Sequence, residues 1–98
     1  MSGKIFNVML QDNNEMPVLG LGTWRLSGGE CISVVQKALN MGYTHFDTAQ
    51  MYGNESEIGK AIKVFEREKL FITSKVWYDQ LHYKQLISAC EKSLKRLN

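Results

Sequence analysis

Gly42-Tyr43-Thr44-His45-Phe46-Asp47-Thr48-Ala49, followed closely by Tyr52-Gly53-Asn54-Glu55, is the stretch whose reading decides the fold. Tyr43 to Thr48, with its aromatic and β-branched residues, reads as a strand, and the turn after it leads to Asn54, which can cap a helix. Glu57, at the third helical position, completes a capping-box-like pair with Asn54. Ile58, Ala61, Ile62 and Phe65 then supply one apolar face at helical spacing. A strand feeds directly into a helix here.

The same rhythm recurs on both sides. Upstream, Gly20-Leu21-Gly22-Thr23-Trp24 reads as a short strand, and a Ser27-Gly28-Gly29 loop leads to a helix. Its Cys31, Val34, Val35, Ala38 and Leu39 fall at i, i+3, i+4, i+7 and i+8, and Gly42 stands where a left-handed helix stop belongs. Downstream, Leu70-Phe71-Ile72-Thr73 is a third strand. Tyr83, Leu86, Ile87, Cys90, Leu94 and Leu97 then run at helical spacing to the end. Ahead of all this, Lys4 to Leu10 alternates, Gln11-Asp12-Asn13-Asn14 turns, and Met16 to Gly20 returns, which makes a hairpin over residues 4–20. Pro17 lacks an N–H and suits an unpaired edge, so the hairpin is expected to lie across the fold rather than inside its sheet. Three strand–helix units, at 20–42, 43–66 and 70–98, imply right-handed crossovers and a parallel sheet. The class is α/β, and the units read as the beginning of a wound or barrel fold.

At 98 residues, 44% hydrophobic and 22% charged, the chain has the composition of one globular domain covering 1–98. The net charge of +2 is spread along the chain without a run of like charge, so no nucleic acid or membrane surface is expected as a partner. The polar start Met1-Ser2-Gly3-Lys4 and the shortness of every apolar stretch point to neither a secretory signal nor a membrane span, which suggests the cytosol. Cys31 and Cys90 occupy apolar helical positions and are expected to be buried and reduced; no metal site is suggested.

In parallel α/β folds ligands meet the C-terminal ends of the strands, here Thr23 and Trp24, Asp47, and Lys75 and Trp77. Neighbouring strands lie about 4.8 Å apart, so Lys75 can reach the Asp47 carboxylate. Tyr52 stands on the loop after Asp47 and can swing its phenol over the same spot. A phenol is a sluggish acid at neutral pH, but a nearby ammonium favours its ionised form, and Asp47 would keep that ammonium charged and in place. Such an acid suits proton delivery to a carbonyl oxygen while hydride arrives from a cofactor. Gly20-x-Gly22 fails as a dinucleotide fingerprint because Arg25 stands where its third glycine belongs. Neither a phosphate-binding Gly-Lys loop nor a Tyr-x-x-x-Lys spacing occurs, which disfavours a doubly wound dehydrogenase.

Met16-Pro17-Val18-Leu19-Gly20-Leu21-Gly22-Thr23-Trp24, Gly42 to Ala49, Tyr52-Gly53-Asn54-Glu55 and Leu70-Phe71-Ile72-Thr73-Ser74-Lys75-Val76-Trp77 together resemble an aldo-keto reductase, over nearly the whole chain. The resemblance implies a TIM-type (β/α)8 barrel floored by an N-terminal hairpin, of which this chain would be the hairpin and first three βα units. It implies Tyr52 as proton donor, Lys75 and Asp47 as its tuning pair, Trp24 and Trp77 as walls of the substrate pocket, and Thr23 and Asp47 near the nicotinamide ribose. The expected cofactor is NADP(H) rather than NAD(H), the substrate a small aldehyde or ketone, and the complete barrel a monomer. The family's catalytic histidine belongs to the next strand, beyond Asn98, so the 98-residue chain alone is expected to be inactive.

Two other readings follow from the same residues: a cofactor-binding relative that turns over little, and a partial barrel completed by assembly. Three strands leave both sheet edges open, which favours self-association of an isolated fragment. His45, on the same strand face as Asp47, is expected to be a hydrogen-bonded core residue and His82 a solvated one. Met16, Met41 and Met51 read as packing or loop residues.

Overall fold

The structure, a computed structural model, describes residues 5–98; Met1-Ser2-Gly3-Lys4, where the expected hairpin begins, lies outside them. β1 (Asn7–Met9) and β2 (Glu15–Pro17) pair antiparallel with Asn7 opposite Pro17, forming a two-stranded sheet of their own. Asn13 turns the chain at φ +69°, and Leu10 N–H donates to Asn14 O at 2.8 Å. The Asp12 carboxylate accepts the Asn14 backbone N–H and side-chain amide, and these bonds hold it below its ordinary carboxyl range.

The second sheet is parallel in the order β3 (Leu21–Gly22), β4 (His45–Asp47), β5 (Phe71–Thr73). Gly22 stands opposite Asp47, and Asp47 opposite Thr73. The regular strands are shorter than the apolar runs suggest, yet pairing continues past them: Phe71 N–H donates to Thr44 O, and Thr48 N–H to Thr73 O, each at 2.8 Å. Period-two alternation turns Phe46 into the core and places His45 and Asp47 on the opposite face.

α1 (Gly28–Asn40) follows β3, α2 (Glu55–Ile62) follows β4, and α3 (Tyr83–Leu97) follows β5. Gly28 and Gly29, expected in a loop, form the first residues of α1 instead. Gly42, at φ +103°, stops α1 as anticipated: its N–H donates to Leu39 O and that of Tyr43 to Ala38 O, the paired bonds of a Schellman motif. Cys31, Val35 and Leu39 of α1 meet Phe46, Ile58 and Ile62 in the core, with Leu21, Phe65 and Ile72 packed against it.

The hairpin lies at the foot of this sheet, as the placement of Pro17 suggested. His45 Nδ1 is 2.9 Å from Pro17 O, and a Cβ on Gly20 would approach the His45 ring to 2.9 Å. His45 stands at the start of β4 and Asp47 at its end, so the hairpin and the C-terminal tips lie at opposite ends of one strand.

α3 departs from expectation. Its contact side is Ala89 and Leu97, and Leu86, Ile87 and Leu94 are 39%, 43% and 63% exposed. Cys90, expected to be buried, is exposed, because α3 meets α2 through its small-residue side and no element among the described residues covers the apolar stripe. The approach to α2 is close: a Cβ on Gly59 would fall 1.9 Å from the Arg96 carbonyl oxygen.

Two outcomes follow. Gly59→Ala forces α3 off α2 and is expected to cost about 3 kcal/mol or more in denaturant unfolding, whereas Gly29→Ala, with open space around it, should stay within about 0.5 kcal/mol. Burial raises the Cys31 thiol above its ordinary value, with Glu57 adding to the effect, so Cys31 resists thiolate formation in the native protein. A thiol reagent at mildly alkaline pH should label Cys90 rapidly and Cys31 only on unfolding. Because the folded thiol binds its proton more tightly, this contribution to stability is present below the ordinary thiol range and is lost as pH rises above it.

Candidate active site

The site is built where β3, β4 and β5 end. Thr23 is fully buried, and its N–H and hydroxyl both donate to Asp47 O, at 3.0 and 2.9 Å. This double bond to the main chain locks the tip of β4 to that of β3. Beyond the tip, the Lys75 ammonium donates to Asp47 Oδ1 at 2.7 Å, with side chains 48% and 38% exposed. A pair this open to water is worth less than about 1 kcal/mol, so its consequence is the placing of the ammonium rather than stability.

Tyr52 ends a short 3-10 turn, Gln50–Tyr52, closed by Gly53 in the left-handed region at φ +68°. Tyr52 is half-buried, and the Lys75 ammonium is 5.5 Å from its ring centroid. The structure therefore brings together all three residues of the expected trio.

Three supports behind the trio were not evident from sequence. Asn54 stands at the N-cap of α2, but its side chain makes no cap bond. Instead it is fully buried, accepting from Thr48 Oγ1 at 2.6 Å and donating to Thr23 O at 2.8 Å and Leu26 O at 3.0 Å. The capping-box expectation with Glu57 fails because the Thr48 hydroxyl occupies the Asn54 oxygen that would cap the helix, while the Thr23 and Leu26 carbonyls hold its nitrogen. Glu55, 2% exposed, accepts from Ser93 at 3.1 Å and from Arg96 at 2.9 and 2.7 Å, and also from Ser74, the residue before Lys75. Gln50 Oε1 accepts the Trp77 N–H at 3.0 Å. An acid in the first turn of a helix ordinarily reads as a helix-dipole partner, and nothing local in the sequence says that Glu55 is buried.

A cavity of ≈ 360 Å³ adjoins the trio, lined by Tyr52, Lys75 and Trp77 together with Met51, Tyr78 and Leu81. Trp77 stacks edge-on against Tyr78, with centroids 4.6 Å apart. Trp24 does not line this cavity; it is 61% exposed with the Arg25 guanidinium 4.6 Å from its ring. Among the described residues no three His, Cys, Asp or Glu side chains cluster as metal ligands, and no helix is long and apolar enough to cross a membrane.

Parallel strands tied at their C-terminal tips, a phenol and an ammonium over them and a hairpin beneath define the opening units of a βα barrel. The chain belongs to the aldo/keto reductase family, whose model matches residues 18–98. It is 49% identical over 92 residues to methylglyoxal reductase DkgA of Escherichia coli O157:H7, covering 92% of this chain and 33% of that protein. It is 42% identical over 94 residues to aldo-keto reductase family 1 member A1 of Pongo abelii, covering 89% of this chain and 29% of the other. Among solved structures it superposes on MGS-M4, an aldo-keto reductase from a deep-sea metagenome library, with a TM-score of 0.89 and 44% identity, over 93% of this chain and 34% of that one. For the Bombyx mori aldo-keto reductase in complex with NADP the TM-score is 0.87 at 31% identity, over 98% and 35%. The chain thus spans about a third of the length of these relatives. The fold is the N-terminal part of the (β/α)8 barrel.

Replacing Asn54 by Ala removes the partner of the Thr48 hydroxyl and of the Leu26 carbonyl and leaves Thr23 O with only the Leu26 N–H. It is expected to cost about 2–4 kcal/mol in chemical denaturation, well beyond the roughly 1 kcal/mol typical of a lost helix cap.

Proposed function

We propose that this chain carries the proton-delivering part of an NADP(H)-dependent reductase of small aldehydes and ketones. The observation behind this is the Lys75 ammonium held between the Asp47 carboxylate and the Tyr52 ring beside an apolar cavity. Tyr52 is the proton donor. Lys75 favours the charge that develops on its phenol oxygen as the proton leaves, and Asp47 keeps Lys75 charged and directed.

The residues fit a nicotinamide nucleotide at the strand tips. Asp47 is partly exposed there, with Oδ1 engaged by Lys75, and a second carboxylate oxygen is suited to accept from a ribose hydroxyl. Thr23, with its hydroxyl committed to Asp47 O, serves that contact by fixing Asp47. When bound, such a cofactor supplies the hydride that no side chain can donate. Trp77 forms an apolar wall of the substrate pocket, and the same role is assigned to Trp24 in the complete barrel, since in this chain it lies outside the cavity lining.

The two relatives and the NADP-bound Bombyx mori structure support this reading, the first relative being named a methylglyoxal reductase. The chain spans about a third of their length, and the reading assigns turnover to a complete barrel, with the 98 residues alone inactive. The complete enzyme works as a soluble monomer in the cytoplasm.

The test is a graft in which this chain replaces the matching stretch of DkgA, assayed by consumption of NADPH with a panel of small aldehydes. The graft is expected to turn over. Tyr52→Phe and Lys75→Met should each lower kcat by about 10²–10⁴-fold. Full activity in both variants would sink the assignment, and NADPH binding without turnover in the parent graft would favour a non-enzymatic relative.

A further inference from the structure

Two separate segments carry the chemistry: the turn Gln50–Tyr52 holds the phenol, and Lys75 to Trp77 holds the ammonium. The Asp47–Lys75 pair cannot alone fix the distance between them, because both side chains are substantially exposed and such pairs are weak. The backbone of the second segment therefore needs its own anchors. On its N-terminal side Ser74 is held by the buried Glu55. On its C-terminal side the anchor is Gln50.

Gln50 makes two bonds to that segment. Its main-chain N–H donates to Lys75 O at 2.9 Å, and its side-chain Oε1 accepts the Trp77 N–H at 3.0 Å. Any residue but proline could make the first bond. The second needs an acceptor oxygen at the reach of a glutamine side chain. Between the two anchored residues stands only Val76, so the pair of bonds clamps the loop immediately after Lys75 to the turn that ends in Tyr52.

We propose that Gln50 is a positioning residue for carbonyl reduction: its side-chain amide fixes the Lys75–Trp77 segment against the Tyr52 turn and so sets the ammonium-to-phenol geometry. The purpose assigned to that geometry rests on the reductase reading above. The clamp itself does not, and the test keeps the two apart.

The test uses the 98-residue chain, with Gln50→Ala to remove the acceptor and Gln50→Glu to keep an oxygen at the same reach. Residue-resolved amide exchange by NMR and the nuclear Overhauser contact between the Lys75 side chain and the Tyr52 ring are measured in each. In Q50A the Trp77 amide is expected to lose at least about tenfold of its protection and the Lys75–Tyr52 contact to weaken. The Thr48 amide, bonded across the sheet to Thr73 O, should keep its protection. In Q50E both signals should return.

Wild-type protection at Trp77 and an unchanged contact in Q50A would overturn the proposal. So would equal loss at Thr48 and Trp77, since Gln50 would then be a residue of the fold at large. Turnover of the graft decides the reductase reading and these spectra decide the clamp, so either can fail alone.

Discussion

The buried side-chain amide of Asn54 joins the end of β3, the end of β4 and the start of α2. Each of its polar atoms is used: the oxygen takes the Thr48 hydroxyl, and the nitrogen gives to the carbonyls of Thr23 and Leu26. Thr23 in turn bonds twice to the Asp47 carbonyl. A fully buried amide satisfied in this way tolerates little displacement, because any movement leaves polar groups in an environment without water to replace the lost bonds. Its neighbour Glu55 does the corresponding work for β5 and α3, through Ser74, Ser93 and Arg96. Two consecutive residues thus hold all three strand tips.

This divides the candidate site into exposed groups, to which the proposed chemistry is assigned, and buried groups that hold them. Asp47, Lys75 and Tyr52 are open enough to meet a ligand, and their mutual attraction is too weak to maintain a geometry. Asn54, Glu55 and Thr23 are closed to solvent, with their polar atoms engaged by other residues of the chain. At the other end of β4, His45 seats the hairpin through the Pro17 carbonyl, with Gly20 leaving room for its ring, so the floor of the fold is made from residues that take no part at the tips.

What could be read from the residues alone followed the range of the interactions. The strand–helix rhythm, the Gly42 stop and the hairpin come from neighbours within a few positions, and the trio comes from where strands end. The supports could not be read, because Asn54 reaches back 31 residues to Thr23 and Glu55 forward 41 residues to Arg96. Locally, Asn54 looks like a cap and Glu55 like a helix-dipole acid, and only the assembled tips reveal competing partners. The misplacement of Cys90 has a related cause: periodicity identifies a face suited to burial, while burial itself depends on an element to cover it.

The reach of Glu55 also orders events during synthesis. Tyr52, Asn54 and the first two strands leave the ribosome well before Arg96, whose guanidinium supplies two of the bonds to the buried carboxylate. Until α3 has emerged and docked on Gly59, that carboxylate lacks its counter-charge and the Ser74–Lys75 segment lacks its firm hold. A nascent chain paused before Arg96 therefore carries every residue of the trio while the Ser74 anchor beside Lys75 is still incomplete.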